Sequence, residues 1–259
     1  MLIDTHAHLY LDRFEGDLEA VIDRAREAGV TRILLPAIDV PSVHRALELC
    51  KRFDGLYAMA ALHPTETKEA TSSDFDAVAA LCDDPHVVAV GESGLDYYWD
   101  RSFDNRQQEF LRLHIRLAMD RKLPIVFHNR EAFGDLIRIV EEEWGNSKEM
   151  DGRRGVFHCF TGTPEEAARI VQAGFVVGIG GIVTFKNAGL AECVRSIPLD
   201  RMVLETDAPW LAPMPYRGKR NEPAYVRFVA ERLALEKGVS LEKVAEVTSR
   251  TAREVFGIG

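Results

Sequence analysis

The feature that most constrains the fold of this chain of 259 residues is a regular alternation of short apolar runs with helical patterns. The runs are apolar at consecutive positions, which is typical of parallel strands that are buried on both faces. The predicted strands cover residues 2–6, 31–36, 56–62, 87–92, 124–128, 155–158, 175–178 and 201–206. The predicted helices cover residues 17–28, 41–53, 73–81, 105–121, 132–144, 164–173, 188–196, 222–237 and 241–256.

Eight strands that alternate with helices in a chain of this length predict an α/β fold with one (β/α)8 barrel domain over residues 1–259. An open doubly wound sheet is the competing architecture. That fold commonly places a glycine-rich phosphate loop after its first strand, whereas this chain places His6 and His8 there. The barrel, an eight-stranded parallel sheet inside a ring of helices, is therefore the favoured architecture.

Composition argues against several functional classes. The formal net charge of −9 argues against an extended basic surface that coats nucleic acid, although it allows a local anion site. No apolar stretch approaches the ~18 residues of a membrane span, and His6 lies too close to Met1 for a signal peptide to precede it. The four cysteines are scattered, which is typical of reduced thiols. We therefore expect a cytoplasmic protein that does not contact a membrane.

Histidines and acids follow the predicted strands at their carboxyl ends. His6 and His8 share one face of an extended segment, because alternate side chains of a strand point the same way. The other such residues are His63 after the third strand, Glu92 at the fourth, His128 at the fifth, His158 at the sixth and Asp207 after the eighth. In a barrel these ends form one rim, where functional residues gather. Imidazole and carboxylate groups in one place indicate a metal site.

Each of these residues also has a purely structural interpretation. A histidine at a strand end is often a hydrogen-bonded rim residue, and an Asp before Ala-Pro often caps a turn or helix. Five of the eight histidines nevertheless fall at predicted carboxyl ends of strands, which is improbable as coincidence. We expect structural roles for the remaining His44, His86 and His114.

Several segments in order along nearly the whole chain resemble the TatD family of metal-dependent hydrolases. The matching segments are Ile3–His8, Leu62–Pro64, Gly91–Tyr98, Gln107 and Phe110, Pro124–Arg130, His158–Gly162, Glu205–Pro209 and Arg220–Pro223. Ser93 departs from the family pattern, which often has Ile or Thr at that position. Because Glu92 is intact, we expect this difference to have little effect on the site.

The resemblance implies a TIM barrel that acts as a deoxyribonuclease, in which water activated by two divalent ions cleaves phosphodiester bonds. It implies that His6, His8 and Asp207 bind one ion, that His128 and His158 bind the other, and that Glu92 bridges them. The mixed nitrogen and oxygen donors suit Mg²⁺, Mn²⁺ or Zn²⁺. Glu92 and Asp207 are the expected catalytic residues, and Asp207 can accept the proton of the nucleophilic water.

Basic residues near the rim are candidates for substrate binding. Arg130 lies two residues after His128 on the same strand face, where it can bind a phosphate or form a salt bridge. His63 can donate to a phosphate or support the site. The segment after the eighth strand combines basic residues with aromatic ones; the basic residues are Arg217, Lys219 and Arg220. This combination suits the binding of a DNA single strand or 3′ end. The alternative is a solvated loop.

Other candidates near the rim have two readings each. Glu205 lies on the face of Asp207, where it either orients a ligand or fills the barrel end. Residues 97–99 and Trp210 either line the cleft or pack within their loops.

Two other functions fit the same residues. A metal-dependent hydrolase of another bond, such as a D-aminoacyl-tRNA ester, a small amide or a lactone, needs the same ligands. A barrel that uses its metals to bind a partner without catalysis is a further alternative. A monomer is compatible with all of these functions, including the nuclease.

Overall fold

A computed structural model describes residues 1–145, 154–186 and 189–259. Its eight strands form one parallel sheet in which neighbours follow chain order from β1 to β8. The strands are β1 Leu2–Asp4, β2 Val30–Leu35, β3 Leu56–Met59, β4 Val87–Asp96, β5 Ile125–Arg130, β6 Gly155–Phe157, β7 Val176–Ile179 and β8 Met202–Leu204. The helices are α1 Leu18–Glu27, α2 Val40–Arg52, α3 Ser72–Leu81, α4 Asp104–Arg121, α5 Phe133–Trp144, α6 Pro164–Gln172, α7 Leu190–Ser196, α8 Val226–Lys237 and α9 Leu241–Phe256. The predicted barrel is confirmed.

Backbone hydrogen bonds beyond the ends of β1 and β8 bring the first and last strands together. The Thr5 N–H donates to Leu204 O at 3.0 Å, the Asp207 N–H to His6 O at 2.8 Å and the His8 N–H to Ala208 O at 2.8 Å. This seam makes the barrel nearly closed. It also fixes the segment that carries His6 and His8 against the segment that carries Asp207.

The buried carboxyl group of Asp4 cross-links the same seam. One oxygen accepts the Thr206 N–H at 2.9 Å, and the other lies 2.6 Å from the Thr206 hydroxyl. Burial raises the pKa of Asp4 to about 8. The group therefore belongs to the interior of the seam, directly below His6.

The barrel interior is filled by apolar side chains, so it is a core and not a channel. One apolar cluster takes a residue from each strand, namely Ile3, Leu34, Met59, Ala89, Val126, Val156, Val176 and Val203. Their neighbours along the strands belong to a second cluster, which packs against the helices. Val255 and Phe256 of α9 join the inner cluster, and the Ser249 hydroxyl donates to Met1 O, so α9 covers the amino-terminal end. The histidines and acids that follow the strands lie at the opposite end.

Several helices begin with a capping box that the sequence encodes directly. Asp39, Thr71 and Thr163 each accept the backbone N–H three residues later, and the side chain at that position bonds back to the cap. Each cap follows a strand, so these helices start near the carboxyl rim of the barrel. Their capped first turns help to fix the connections that follow β2, β3 and β6.

The structure moves several predicted boundaries. β4 continues to Asp96 and β5 to Arg130, because the two strands stay paired through Gly94 and His128. A Cβ on Gly94 would lie 2.0 Å from His128 O, so only glycine allows this close approach. The predicted start of the seventh helix, at residue 188, lies outside the described residues. Residues 223–225 form a separate 3₁₀ turn before α8.

Two expectations from composition concern the whole fold. None of the helices in the described residues is long and apolar enough to cross a membrane. The four cysteines are free thiols.

Candidate metal centre

The carboxylate of Glu92, on β4, lies among five imidazole rings. The distances to its oxygens are 2.8 Å from His128 Nδ1, 2.8 Å from His158 Nε2, 3.2 Å from His6 Nε2, 3.6 Å from His63 Nε2 and 3.9 Å from His8 Nε2. The Glu92 side chain is 4% exposed. The structure thus brings together all five histidines that the sequence placed at strand ends.

Asp207 completes this cluster on its solvent side. Its Oδ1 lies 3.6 Å from His8 Nε2 and 3.8 Å from His6 Nε2, and its side chain is 15% exposed. Burial alone would raise its pKa, but a hydrogen bond from His8 and the charges of His158 and His6 hold the pKa below its usual value. Asp207 is therefore an ionised carboxylate that faces the opening.

The nitrogen that points away from Glu92 is within hydrogen-bond distance of a second side chain in three of the five rings. The pairs are His8 Nδ1 with the Tyr10 hydroxyl at 2.8 Å, His63 Nδ1 with Thr65 Oγ1 at 2.7 Å and His128 Nε2 with Asp96 Oδ2 at 2.9 Å. His158 Nδ1 lies 3.6 Å from Glu205 Oε1, which is beyond a hydrogen bond. Such partners fix ring orientation and determine which nitrogen is presented inwards.

Asp96 is a site residue that the sequence analysis did not assign. The predicted fourth strand ended at Glu92, whereas the observed strand carries Glu92, Gly94 and Asp96 on one face. The same-face spacing would have identified Asp96 if the strand had been extended. Glu205 was considered, and the structure places it behind His158, where its Oε1 accepts the Cys159 N–H at 2.5 Å.

The electrostatics of the cluster show a demand for positive charge. Burial raises the pKa of Glu92, but the charges of His158 and His6 and hydrogen bonds from His128 and His158 outweigh it and hold the pKa well below its usual value. Burial lowers the pKa of His158 and of His128, yet their carboxylate partners raise both above the usual value. The carboxylates thus favour positive charge on their partners, which is the kind of charge that a bound cation would supply.

Unpartnered atoms show that a metal ion fits this site. Nε2 of the buried His6 lies 3.2 Å from Glu92 Oε2 and 3.8 Å from Asp207 Oδ1, yet it forms no hydrogen bond with the described residues. A buried polar atom without a partner is costly, and a cation would satisfy it. Three groups have donor atoms within 4.8 Å of one another: His6 with Glu92 and His158, His6 with His8 and Asp207, and His63 with Glu92 and His128. His63 thus lies within the ligand cluster itself.

The basic candidates occupy different environments. The Arg130 guanidinium lies 3.9 Å from the Tyr98 ring centroid, Arg217 lies 4.5 Å from Phe185 and Lys219 lies 5.8 Å from Tyr216. In contrast, Arg220 makes two 2.7 Å contacts with the Asp17 carboxylate. This ion pair joins the loop after β8 to the start of α1, so Arg220 has a structural role.

Two of the histidines outside the cluster have local structural partners. His114 of α4 accepts the Leu62 N–H at 3.1 Å through Nε2 and donates from Nδ1 to Phe110 O at 2.8 Å. It thereby holds the segment that leads into His63. His86 pairs with Asp84 at 2.9 Å, and His44 lies exposed on α2.

A (β/α)8 barrel with a carboxylate–histidine cluster at the carboxyl rim defines the class of metal-dependent barrel hydrolases. The family model described as TatD related DNase matches residues 3–257, and the chain belongs to this family. The resemblance noted in the sequence is confirmed.

The relatives carry names that agree with this class. The chain is 43% identical over 259 residues to the Bacillus subtilis protein named uncharacterized metal-dependent hydrolase YabD, with 100% of each chain covered. It is 31% identical over 264 residues to the 3′-5′ ssDNA/RNA exonuclease TatD of Salmonella typhimurium, with 99% of each covered. The crystal structure of YJJV, a TatD homologue from Escherichia coli, has a TM-score of 0.93 and 30% identity over 100% of this chain and 98% of that one. The chain is a metal-dependent hydrolase of the TatD family.

Proposed function

We propose that this hydrolase is a deoxyribonuclease that cleaves phosphodiester bonds in single-stranded DNA or at 3′ ends. The observation that carries the proposal is the Glu92–Asp207 cluster with the guanidinium of Arg130 on the next same-face position after His128, where it forms no ion pair with the described residues. Such a site combines ligands for dications with a group suited to phosphate. The name of the Salmonella relative supports a nucleic-acid substrate.

The two oxygens of Glu92 support a bridging role between two ions. Oε2 faces His6 and His8, whereas Oε1 faces His128 and His158. His6, His8 and Asp207 would hold one ion and His128 and His158 the other, with Glu92 between the two sets. Mg²⁺, Mn²⁺ or Zn²⁺ held in this way would lower the pKa of water and neutralise phosphate charge.

The remaining roles belong to side chains of the chain itself. Asp207 is ionised and solvent-facing, so it can accept the proton of the attacking water. Arg130 binds a non-bridging phosphate oxygen. His63, whose side chain is 14% exposed and whose Nδ1 is held by Thr65, donates from Nε2 to the same phosphate.

The direct test uses metal-stripped protein on end-labelled single-stranded DNA, with Mg²⁺, Mn²⁺ or Zn²⁺ restored singly. We expect a ladder from one end that requires the metal and is lost in His128→Ala. His86→Ala is the matched control, because the His86 side chain is 38% exposed and pairs with Asp84 outside the cluster. Intact DNA with every metal would reject the proposal.

A second panel separates phosphodiester cleavage from the alternative reactions. Bis-p-nitrophenyl phosphate, an ester chromogen and an amide chromogen are compared under the metal that performs best. If the phosphodiester is turned over only at the background rate and the ester chromogen is turned over faster than background, the protein is instead assigned to ester hydrolysis. D-aminoacyl-tRNA would then be the next substrate to test.

A further inference from the structure

A surface made of Tyr98, Trp99 and Arg130, here called the platform, adjoins the cluster. The Arg130 guanidinium lies 3.9 Å from the Tyr98 ring centroid and 5.2 Å from that of Trp99. The two rings meet edge to face with centroids 4.9 Å apart. A cation and two aromatic rings are thus assembled in one patch.

Exposure indicates that the platform does not serve the packing of the chain. Tyr98 is 50% exposed and Trp99 is 68% exposed, whereas most large apolar side chains in the described residues are buried. Arg130 is exposed and has no carboxylate ion pair within the described residues. The patch therefore offers flat ring surface and positive charge to a ligand.

Asp96 attaches the platform to the cluster. Its Oδ1 accepts the backbone N–H of Tyr98 at 3.0 Å and of Trp99 at 3.3 Å, while its Oδ2 contacts His128 Nε2 at 2.9 Å. Asp96 is also the register partner of Arg130 across β4 and β5. A single buried carboxylate thus connects His128 to the backbone that carries the two rings.

We infer that the platform is a subsite for one unpaired nucleotide beside the bond that is cleaved. Its base stacks on the ring of Trp99, supported by Tyr98, and its phosphate contacts Arg130. A base in a duplex is stacked between its neighbours, so the subsite favours a free single-stranded end. This inference rests on the proposed function and adds the place at which the nucleotide binds.

The test measures binding to the metal-loaded protein by fluorescence anisotropy. The probe is a fluorescein-labelled oligothymidylate with phosphorothioate links, which resist cleavage, and a second probe of equal length carries abasic residues. We expect Trp99→Ala to weaken binding of the first probe about 5- to 100-fold, as the loss of one stacked base implies. The matched control is Leu235→Ala on α8, where the native leucine is 74% exposed.

The abasic probe tests whether the base itself contacts Trp99. Wild type should bind it more weakly than oligothymidylate, and Trp99→Ala should lose that discrimination. The subsite would be overturned by any one of three results. These are equal affinities of the Trp99→Ala and Leu235→Ala proteins for oligothymidylate, full discrimination between the two probes by Trp99→Ala, or no binding of either probe to wild type. If wild type hydrolyses no phosphodiester yet shows base-dependent binding through Trp99, the cleavage proposal fails and the subsite stands.

Discussion

Asp96→Asn is the substitution that most directly tests how the cluster is positioned. In the structure the Asp96 carboxylate accepts from His128 Nε2 and from the backbone N–H groups of Tyr98 and Trp99. It therefore serves as an acceptor on both sides. The substitution changes one oxygen to an NH₂ group with almost no change in volume, so the altered hydrogen bonding is isolated from packing.

The amide cannot reproduce both sets of hydrogen bonds. If its oxygen keeps the two backbone N–H groups, its NH₂ faces His128 Nε2 and places the ring proton on Nδ1, which lies 2.8 Å from Glu92. That proton occupies the lone pair which a metal ion needs. If the amide is reversed, two backbone N–H groups face a donor, at a cost of about 1 to 3 kcal/mol for each buried group.

Loss of a partner that orients a metal-binding histidine commonly reduces metal affinity or activity about 10- to 100-fold. We therefore expect Asp96→Asn to weaken one Mn²⁺ site by about 1.4 to 2.7 kcal/mol. Isothermal titration of metal-stripped protein with Mn²⁺ measures this change, and urea unfolding checks that the variant is folded.

Asp100→Asn supplies the matched control for this titration. Asp100 lies on the loop that follows β4 and pairs with Lys68 at 2.9 Å, so its amide leaves the imidazoles untouched. The reasoning is refuted if Asp96→Asn binds Mn²⁺ as wild type does, or if Asp100→Asn loses as much affinity as Asp96→Asn.

Two further substitutions test supports of the site. Burial lowers the pKa of His114 from 6.5 to about 4. Between these pH values the unfolded chain therefore binds more protons at this group than the folded chain does. Through this group, the free energy of unfolding should fall by about 2 kcal/mol as the pH is lowered from 7.5 to 5. His114→Phe removes this titration and also leaves the Leu62 N–H without its acceptor. The free energies of unfolding of the variant and of the wild type, measured with urea in the presence of a chelator, should therefore differ most at pH 7.5. An equal difference at both pH values would contradict this. In Gly178→Ala the new Cβ would lie 2.2 Å from Glu205 Oε2, so we expect about 1 to 3 kcal/mol of lost stability and weaker Mn²⁺ binding. Gly134→Ala, with no atom within 4 Å of its Cβ, is the control, and equal Mn²⁺ affinities of the two alanine variants would exclude displacement of Glu205.

The barrel was predictable because its strands are buried on both faces. Continuous apolar runs such as residues 33–35 and 125–127 mark the strands, and capping residues such as Thr163 mark helix starts. The extension of β4 was missed because Gly91, Ser93 and Gly94 interrupt the apolar run. Pairing with β5 beyond Glu92 depends on a close backbone approach that composition does not encode.

Convergence of the cluster residues was predictable because carboxyl ends of parallel strands share one rim. The hydrogen-bond partners of the histidines were less predictable. Whether Tyr10, Thr65 and Asp96 contact their histidines depends on the orientation of each ring and on the path of each loop. The ion pair between Arg220 and Asp17 joins positions 203 residues apart, and no local pattern reveals it. Sequence reasoning thus locates the chemistry, while three-dimensional contacts show how each group is held.

The two halves of the cluster depend on different parts of the fold. His6, His8 and Asp207 are placed by the seam that closes the barrel, through the hydrogen bonds between the tails of β1 and β8. His128 is placed by Asp96, on a pair of strands that remain paired up to the rim. Disruption of the seam should therefore reduce stability and metal binding together, because the same hydrogen bonds serve both. Asp96→Asn in the orientation that keeps the two backbone hydrogen bonds should reduce metal binding with little loss of stability, so the two effects can be separated in one protein.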